Sequence, residues 1–176
     1  MFALNAIYFF VSLTSQSACS PHVAFLAAHL GIGGPMGGTE LAPTSILTKE
    51  FKSKVEALGV RREGTRTLKV EGHKFPDFPT LQSSAKLIPA LVATRKWVEE
   101  TRRRGVIPIV IGGDHSLAMA SASASQAVAQ SGGKRICLVW IDAHTDRYFL
   151  PNTRQSPHGI VLSQLLGEGL AKFHPV

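Results

Sequence analysis

Apolar and polar residues fall in blocks along this chain, and the blocks predict alternating strands and helices. His22–His29 (HVAFLAAH) is a short apolar run fit for a buried strand. Gly31–Gly38 (GIGGPMGG) follows, with five glycines in eight residues, a loop whose backbone can approach another group closely. Ile46, Leu47, Phe51, Val55 and Leu58 then recur at helical spacing. Thr39 can cap that first helix, Pro43 marks where the helix proper starts, and Gly59 ends it. Thr65–Val70 alternates as a strand would, and Gly72–Pro79 reads as a loop with two prolines. A long helix starting at Ser83 or Ser84 turns Leu87, Leu91 and Val98 to one face, kinks at Pro89 and stops at Gly105. Val106–Ile111 (VIPIVI) and Ile136–Ile141 (ICLVWI) are continuous apolar runs that predict two central parallel strands. Between them Ser116–Ser131, rich in Ala and Ser, predicts a helix packed closely on the sheet. The fold class expected is α/β, a largely parallel sheet sandwiched between helices. Ligands of such sheets collect beyond the carboxyl ends of the strands.

Composition narrows the class. The chain has 176 residues, of which 44% are hydrophobic and 18% charged, which excludes a disordered or collagen-like protein. The apolar run Met1–Leu13 is shorter than the ~20 residues a membrane-spanning helix needs. Cys19 and Cys137 are too few for a disulfide scaffold. No formally charged side chain precedes Glu40, and Met1–Leu13 followed by small polar residues has the outline of a signal peptide without its positive start. Gln16 and Ala18 make a poor cleavage pair, and the arginines of a mitochondrial presequence are missing. Residues 1–20 are therefore read as an extension, disordered or a weak targeting segment. The location expected is cytoplasmic, with mitochondrial and secreted left open.

The net charge of +7 is concentrated, because residues 49–104 hold 14 basic and 7 acidic side chains. No regular aromatic–basic interleaving accompanies them, and Arg102, Arg103 and Arg104 stand just before Gly105, where a helix C-terminus favours cations. A solvated helix face is the better reading, so neither a nucleic-acid partner nor a membrane partner is expected.

The chemistry sits where the two best strands end. Val106–Ile111 runs into Gly112-Gly113-Asp114-His115-Ser116, and Ile136–Ile141 into Asp142-Ala143-His144-Thr145-Asp146. A strand projects alternate residues to one side, so Asp142, His144 and Asp146 can converge, and His115 joins them if the strands are neighbours. Taken singly, a D-x-H-x-D is also compatible with a turn of solvated carboxylates. Two such motifs, each directly after a buried strand, point to a metal site. Carboxylates with imidazoles suit Mn, Zn, Ni or Fe, and the excess of oxygen donors favours Mn.

These motifs resemble the signatures of the arginase/agmatinase ureohydrolases. Gly34–Pro43 (GPMGGTELAP) is similar to that family's glycine-rich first loop, and His158-Gly159 followed by Leu165–Gly169 (LLGEG) to the stretch after its second metal motif. The resemblance covers roughly residues 22–170 and implies an α/β/α fold, usually in homo-oligomers. It implies hydrolysis of a guanidino compound, arginine first, to urea and an amine by a hydroxide bridging two Mn ions. Agmatine, or a guanidino acid other than arginine, is the alternative substrate. By motif, His115, Asp142 and Asp146 would bind one metal, and His144 with the bridging Asp142 the other. Asp146 would also accept a hydrogen bond from the attacking hydroxide, and His158 would shuttle protons to bulk water. Asp114 and Ser116 would orient the ligands, and Ser156 would contact substrate.

The family's later Asp-x-Asp motif has no counterpart, since no Asp follows Asp146. Residues 21–176 are accordingly expected to be a partial arginase-like domain with its C-terminal part missing. The second function class left open is a catalytically inactive, metal-binding arginase-like fragment.

Overall fold

Val23, Ala24, Phe25, Leu26, Ala27 and Ala28 are all buried, so β1 (His22–His29) has to lie between two neighbours and two covering layers. In the computed structural model β2 (Arg61–Lys69) pairs parallel to it on one side and β3 (Ile107–Gly112) on the other, giving the order β2-β1-β3. The β1–β3 register runs from Val23 opposite Ile107 to Ala28 opposite Gly112. The structure describes residues 20–35, 37–70, 87–147 and 156–168. Residues 1–19 of the expected extension, the Gly72–Pro79 loop and the start of the long helix at Ser83 or Ser84 lie outside them.

Alternation along β1 builds both layers. Ala24, Leu26 and Ala28 join Leu87, Leu91 and Val98 of α3 (Leu87–Arg103) and Leu117, Met119 and Ala120 of α4 (Leu117–Ser131) in the larger core. Val23 and Phe25 face the other way with Ile109 and Ile111, under Phe51 and Val55 of α2 (Lys49–Ala57). Phe25 and Phe51 meet edge to face with centroids 6.0 Å apart. Leu26, 1% exposed, contributes roughly 1.5–3 kcal/mol by burial alone. The parallel sheet covered by helices on both faces is the arrangement the block pattern predicts. No helix among the described residues is long and apolar enough to cross a membrane.

Three elements depart from expectation. The first helix is broken: a 3-10 turn (Thr39–Leu41) and α1 (Ala42–Ile46) precede α2, because Thr48 starts a new helix by accepting the Phe51 N–H at 3.2 Å. β2 begins at Arg61 rather than Thr65, since pairing with β1 outweighs the weak strand preference of its charged residues. Its arginines and lysine also blunt an edge strand.

The third departure is a correction. Ile136–Ile141 is not a second central strand: it has no ladder partner among the described residues. Its side chains still alternate, Ile136, Leu138 and Trp140 half-buried, Cys137, Val139 and Ile141 exposed, with Val139 at 64% and Ile141 at 73%. Hydrophobicity and alternation suit a segment to a sheet, but a ladder needs a second backbone alongside. β1 is paired on both sides, the segment lies alongside neither outer strand in a ladder among the described residues, and Trp140 packs it on the α3–α4 core.

Candidate metal centre

The loop after β3 is positioned by extending the ladder beyond the strand. The Gly113 N–H donates to the Ala28 carbonyl at 3.1 Å and the Asp114 N–H to the Leu30 carbonyl at 2.8 Å. A Cβ at Gly113 would lie 1.6 Å from the Leu30 oxygen, so only glycine lets the two backbones come this close. Asp114 is thereby turned inward. Its carboxylate accepts the Gly33 and Ser116 N–H groups, each at 2.9 Å, and the Ser116 hydroxyl, tying the glycine-rich loop to this one. Burial pushes the Asp114 carboxyl pKa up, while Ser116, Gly33 and the nearby His158 pull it partly back. Asp114 and Ser116 thus tie down the loop that carries His115.

With Asp114 pinned inward, His115 is presented to the other motif. Its Nδ1 makes a short contact with the Asp146 carboxylate and lies 3.5 Å from an Asp142 oxygen. Its ring rests on Trp140 with centroids 4.8 Å apart and planes inclined at 37°. Trp140 and Asp142 are two apart in an extended segment and so share a side. The backbone of Asp142 lies open, yet its carboxylate is only 17% exposed. Its other oxygen accepts the His144 N–H at 2.9 Å, a local turn bond that fixes the carboxylate.

Asp146 is the only non-glycine residue among those described with positive φ, at 46°. Such a conformation costs roughly 1–3 kcal/mol, and aspartate tolerates it better than most residues. The buried Asp146 uses it to face two ways. Its carboxylate meets His115, while its carbonyl accepts the Leu162 and Ser163 N–H groups at 3.0 and 3.4 Å. Those are first-turn donors of α5 (Val161–Leu165), so the motif anchors that helix. Arg147 then reaches across the outside to Glu168 with two bonds, at 2.7 and 3.1 Å.

His115, Asp142 and Asp146 each offer one ligand atom, all within 4.8 Å of one another. Two carboxylates and a ring nitrogen this close repel unless a proton or a metal cation lies between them. The donor set, one nitrogen and two carboxylates, fits a divalent transition metal, Mn among them. His144 is not brought into this group: its side chain is 70% exposed, with Nδ1 3.6 Å from Asp142. Ser156 and His158 sit at the 3-10 turn Pro157–Ile160, against Gly33 of the glycine-rich loop. The Ser156 hydroxyl is engaged with His158.

Two contributors escape motif reading. Trp140 backs the His115 ring, and its position two residues before Asp142 is the signal that it shares the carboxylate's side. Gly33 donates to Asp114 and accepts from His158, and nothing separates it in sequence from its neighbouring glycines.

The profile of the Arginase family matches residues 22–176. The chain belongs to the arginase family. It is 31% identical to human Arginase-1 over 164 residues, covering 92% of this chain and 49% of that protein. It is 29% identical to rat Arginase-1 over 157 residues, 88% of this chain and 47% of that one. The chain spans about half the length of the curated relatives it matches. Among solved structures, Bacillus cereus arginase superposes with a TM-score of 0.70 at 20% identity, over 88% of this chain and 50% of that one. Entamoeba histolytica arginase in complex with L-ornithine gives 0.65 at 21% identity, over 90% and 53%. A putative agmatinase from Clostridium difficile gives 0.52 at 18% identity, over 84% and 50%. At these identities the superpositions speak for the fold, which is the arginase family's α/β arrangement.

Proposed function

We propose that this chain carries part of a ureohydrolase centre that hydrolyses the guanidino group of a small substrate, arginine first, to urea and an amine. The convergence of His115, Asp142 and Asp146 beyond the carboxyl end of the sheet carries this reading. These three residues would hold one Mn ion, and the family resemblance gives His144, with Asp142, a place on a second. A divalent cation there supplies Lewis acidity and makes hydroxide available near neutral pH. Asp146, whose carbonyl is held by α5 and whose carboxylate meets His115, would accept a hydrogen bond from the nucleophile. His158, half-buried at the rim of the same loops, would carry protons between the centre and bulk water. Arginine precedes agmatine because Arginase-1 proteins stand among the relatives at about 30% identity and one superposed arginase holds L-ornithine. A cytoplasmic homo-oligomer completes the proposal.

A second reading has its own support: Val139 and Ile141 lie open. On it, the chain binds a metal through the same three residues, turns nothing over, and associates through that apolar face.

The test is urea release from arginine and from agmatine with Mn supplied, for the wild type, His115→Ala and Asp142→Ala. Release that both variants abolish supports the hydrolase. Urea release that survives Asp142→Ala overturns the mechanism. Mn uptake without any turnover selects the second reading.

A further inference from the structure

His158 enters the reaction as a proton carrier only if a defined ring nitrogen is free to do so, and the contacts around it settle which one. Both hydrogen bonds of its ring among the described residues use Nδ1: the Ser156 hydroxyl at 2.5 Å and the Gly33 carbonyl at 3.3 Å. The same carbonyl accepts the His158 backbone N–H at 3.2 Å, which holds ring and backbone on one acceptor. A carbonyl oxygen can only accept, so an unprotonated Nδ1 would set its lone pair against that of Gly33. A hydroxyl, by contrast, can accept from an Nδ1–H as readily as it can donate.

Ser156 is placed for this. It is buried, it precedes Pro157 at the start of the 3-10 turn, and its side chain makes no capping bond to that turn. Gly33 is itself fixed, because its N–H donates to the buried Asp114 carboxylate at 2.9 Å. Asp114 also interacts electrostatically with His158 across this contact.

We infer that the Gly33 carbonyl locks His158 in its Nδ1–H tautomer, with the Ser156 hydroxyl as a second acceptor of that proton, which makes Nε2 the nitrogen that takes up and releases protons. Gly33 is on this account a positioning residue that acts through His158. The tautomer stands on these contacts alone, and the use made of Nε2 rests on the hydrolytic reading above.

Long-range proton–nitrogen correlation spectra of the full chain with ¹⁵N-labelled histidine test this directly, with no metal or substrate added. The His158 signals are those lost in His158→Gln. In its neutral form, wild-type His158 shows a protonated Nδ1 and a lone pair on Nε2. Ser156→Ala keeps Nδ1 protonated, because the Gly33 carbonyl remains as an acceptor that cannot donate. A wild-type ring protonated on Nε2 overturns the inference, and so does a Ser156→Ala ring that moves its proton to Nε2. If Ser156→Ala fails to fold, the wild-type spectrum alone decides. Absence of urea release leaves the tautomer unaffected, so the two readings fail separately.

Discussion

The loop after β3 and the stretch from Ile136 to Arg147 begin from the same kind of signal, an apolar run ending in aspartate and histidine. The first run is a paired strand, and its ladder continues into the loop until Asp114 is buried and bonded by Gly33 and Ser116. The second run has no ladder among the described residues, and half of its apolar side chains face outward. Yet both deliver a side chain to the same point. His115 arrives because the backbone beneath it is fixed on both sides. Asp142 and Asp146 arrive because local devices aim them: a turn bond at Asp142 and a left-handed backbone at Asp146 capping α5. A ligand can therefore be aimed by sheet pairing or by loop geometry, and only the first requires a complete sheet around it.

That contrast can be broken at either end. The largest effect belongs to Gly113→Ala, where the new methyl group overlaps the Leu30 carbonyl. A loss above ~4 kcal/mol, enough to prevent folding, is expected in chemical denaturation; a near-neutral result would mean that the β3 loop is not held as described. For the centre itself, calorimetric titration with Mn should show affinity falling at least on the order of tenfold in His115→Ala, Asp142→Asn and Asp146→Asn, as removal even of outer supports does. His144→Ala should fall less, because its ring stands outside the group. Equal losses in all four would put His144 among the ligands of the first ion.

Asp114→Asn should cost ~1–3 kcal/mol, since an amide cannot accept all of the donors that the carboxylate does. Its pH dependence has a definite sign. The folded state holds the Asp114 proton more tightly than the unfolded state, so the stabilisation is fully present below the ordinary aspartate value of ~3.9 and is lost as pH rises through the raised one. The stability difference between wild type and Asp114→Asn, followed across that window, should therefore shrink with rising pH; a difference that grows would reverse the assignment.

On the open side, Val139→Ser should change stability by no more than ~0.5 kcal/mol, because its side chain is already in water. A larger loss in the denaturation midpoint would mean that something covers this face in solution. Glu168→Gln should be smallest of all: it weakens the contact that raises the Arg147 pKa, and that pair lies at the surface with the Arg147 side chain half-exposed. Its thermal midpoint should stay within the scatter of repeat melts.

Much of the fold was legible. β1 falls on the predicted His22–His29, β3 within one residue of Val106–Ile111, and α4 within one residue of Ser116–Ser131, because long apolar runs and their glycine stops are local signals. The break at Thr48 was missed because the hydrophobic spacing runs straight through it while a single side-chain cap decides otherwise. The early start of β2 was missed because it depends on β1, a neighbour forty residues away in places. At the site, His115, Asp142 and Asp146 were expected together and are together, whereas His144, their apparent equal in the D-x-H-x-D spacing, turns to solvent. Period-two spacing places side chains on one side only while the backbone stays extended, and the positive φ of Asp146 shows that it does not.

By itself, the sequence determined which segments must be buried, where strand and helix change over, and which residue types stand at the strand ends. Those follow from side-chain chemistry and spacing, which are properties of the chain read locally. Tertiary structure alone decided that Ile136–Ile141 has no ladder partner among the described residues, that Gly33 bridges Asp114 and His158, and that three of the four candidate ligands meet. Each of these depends on a backbone group supplied from elsewhere in the chain, and no local pattern records which distant carbonyl or N–H will be within reach.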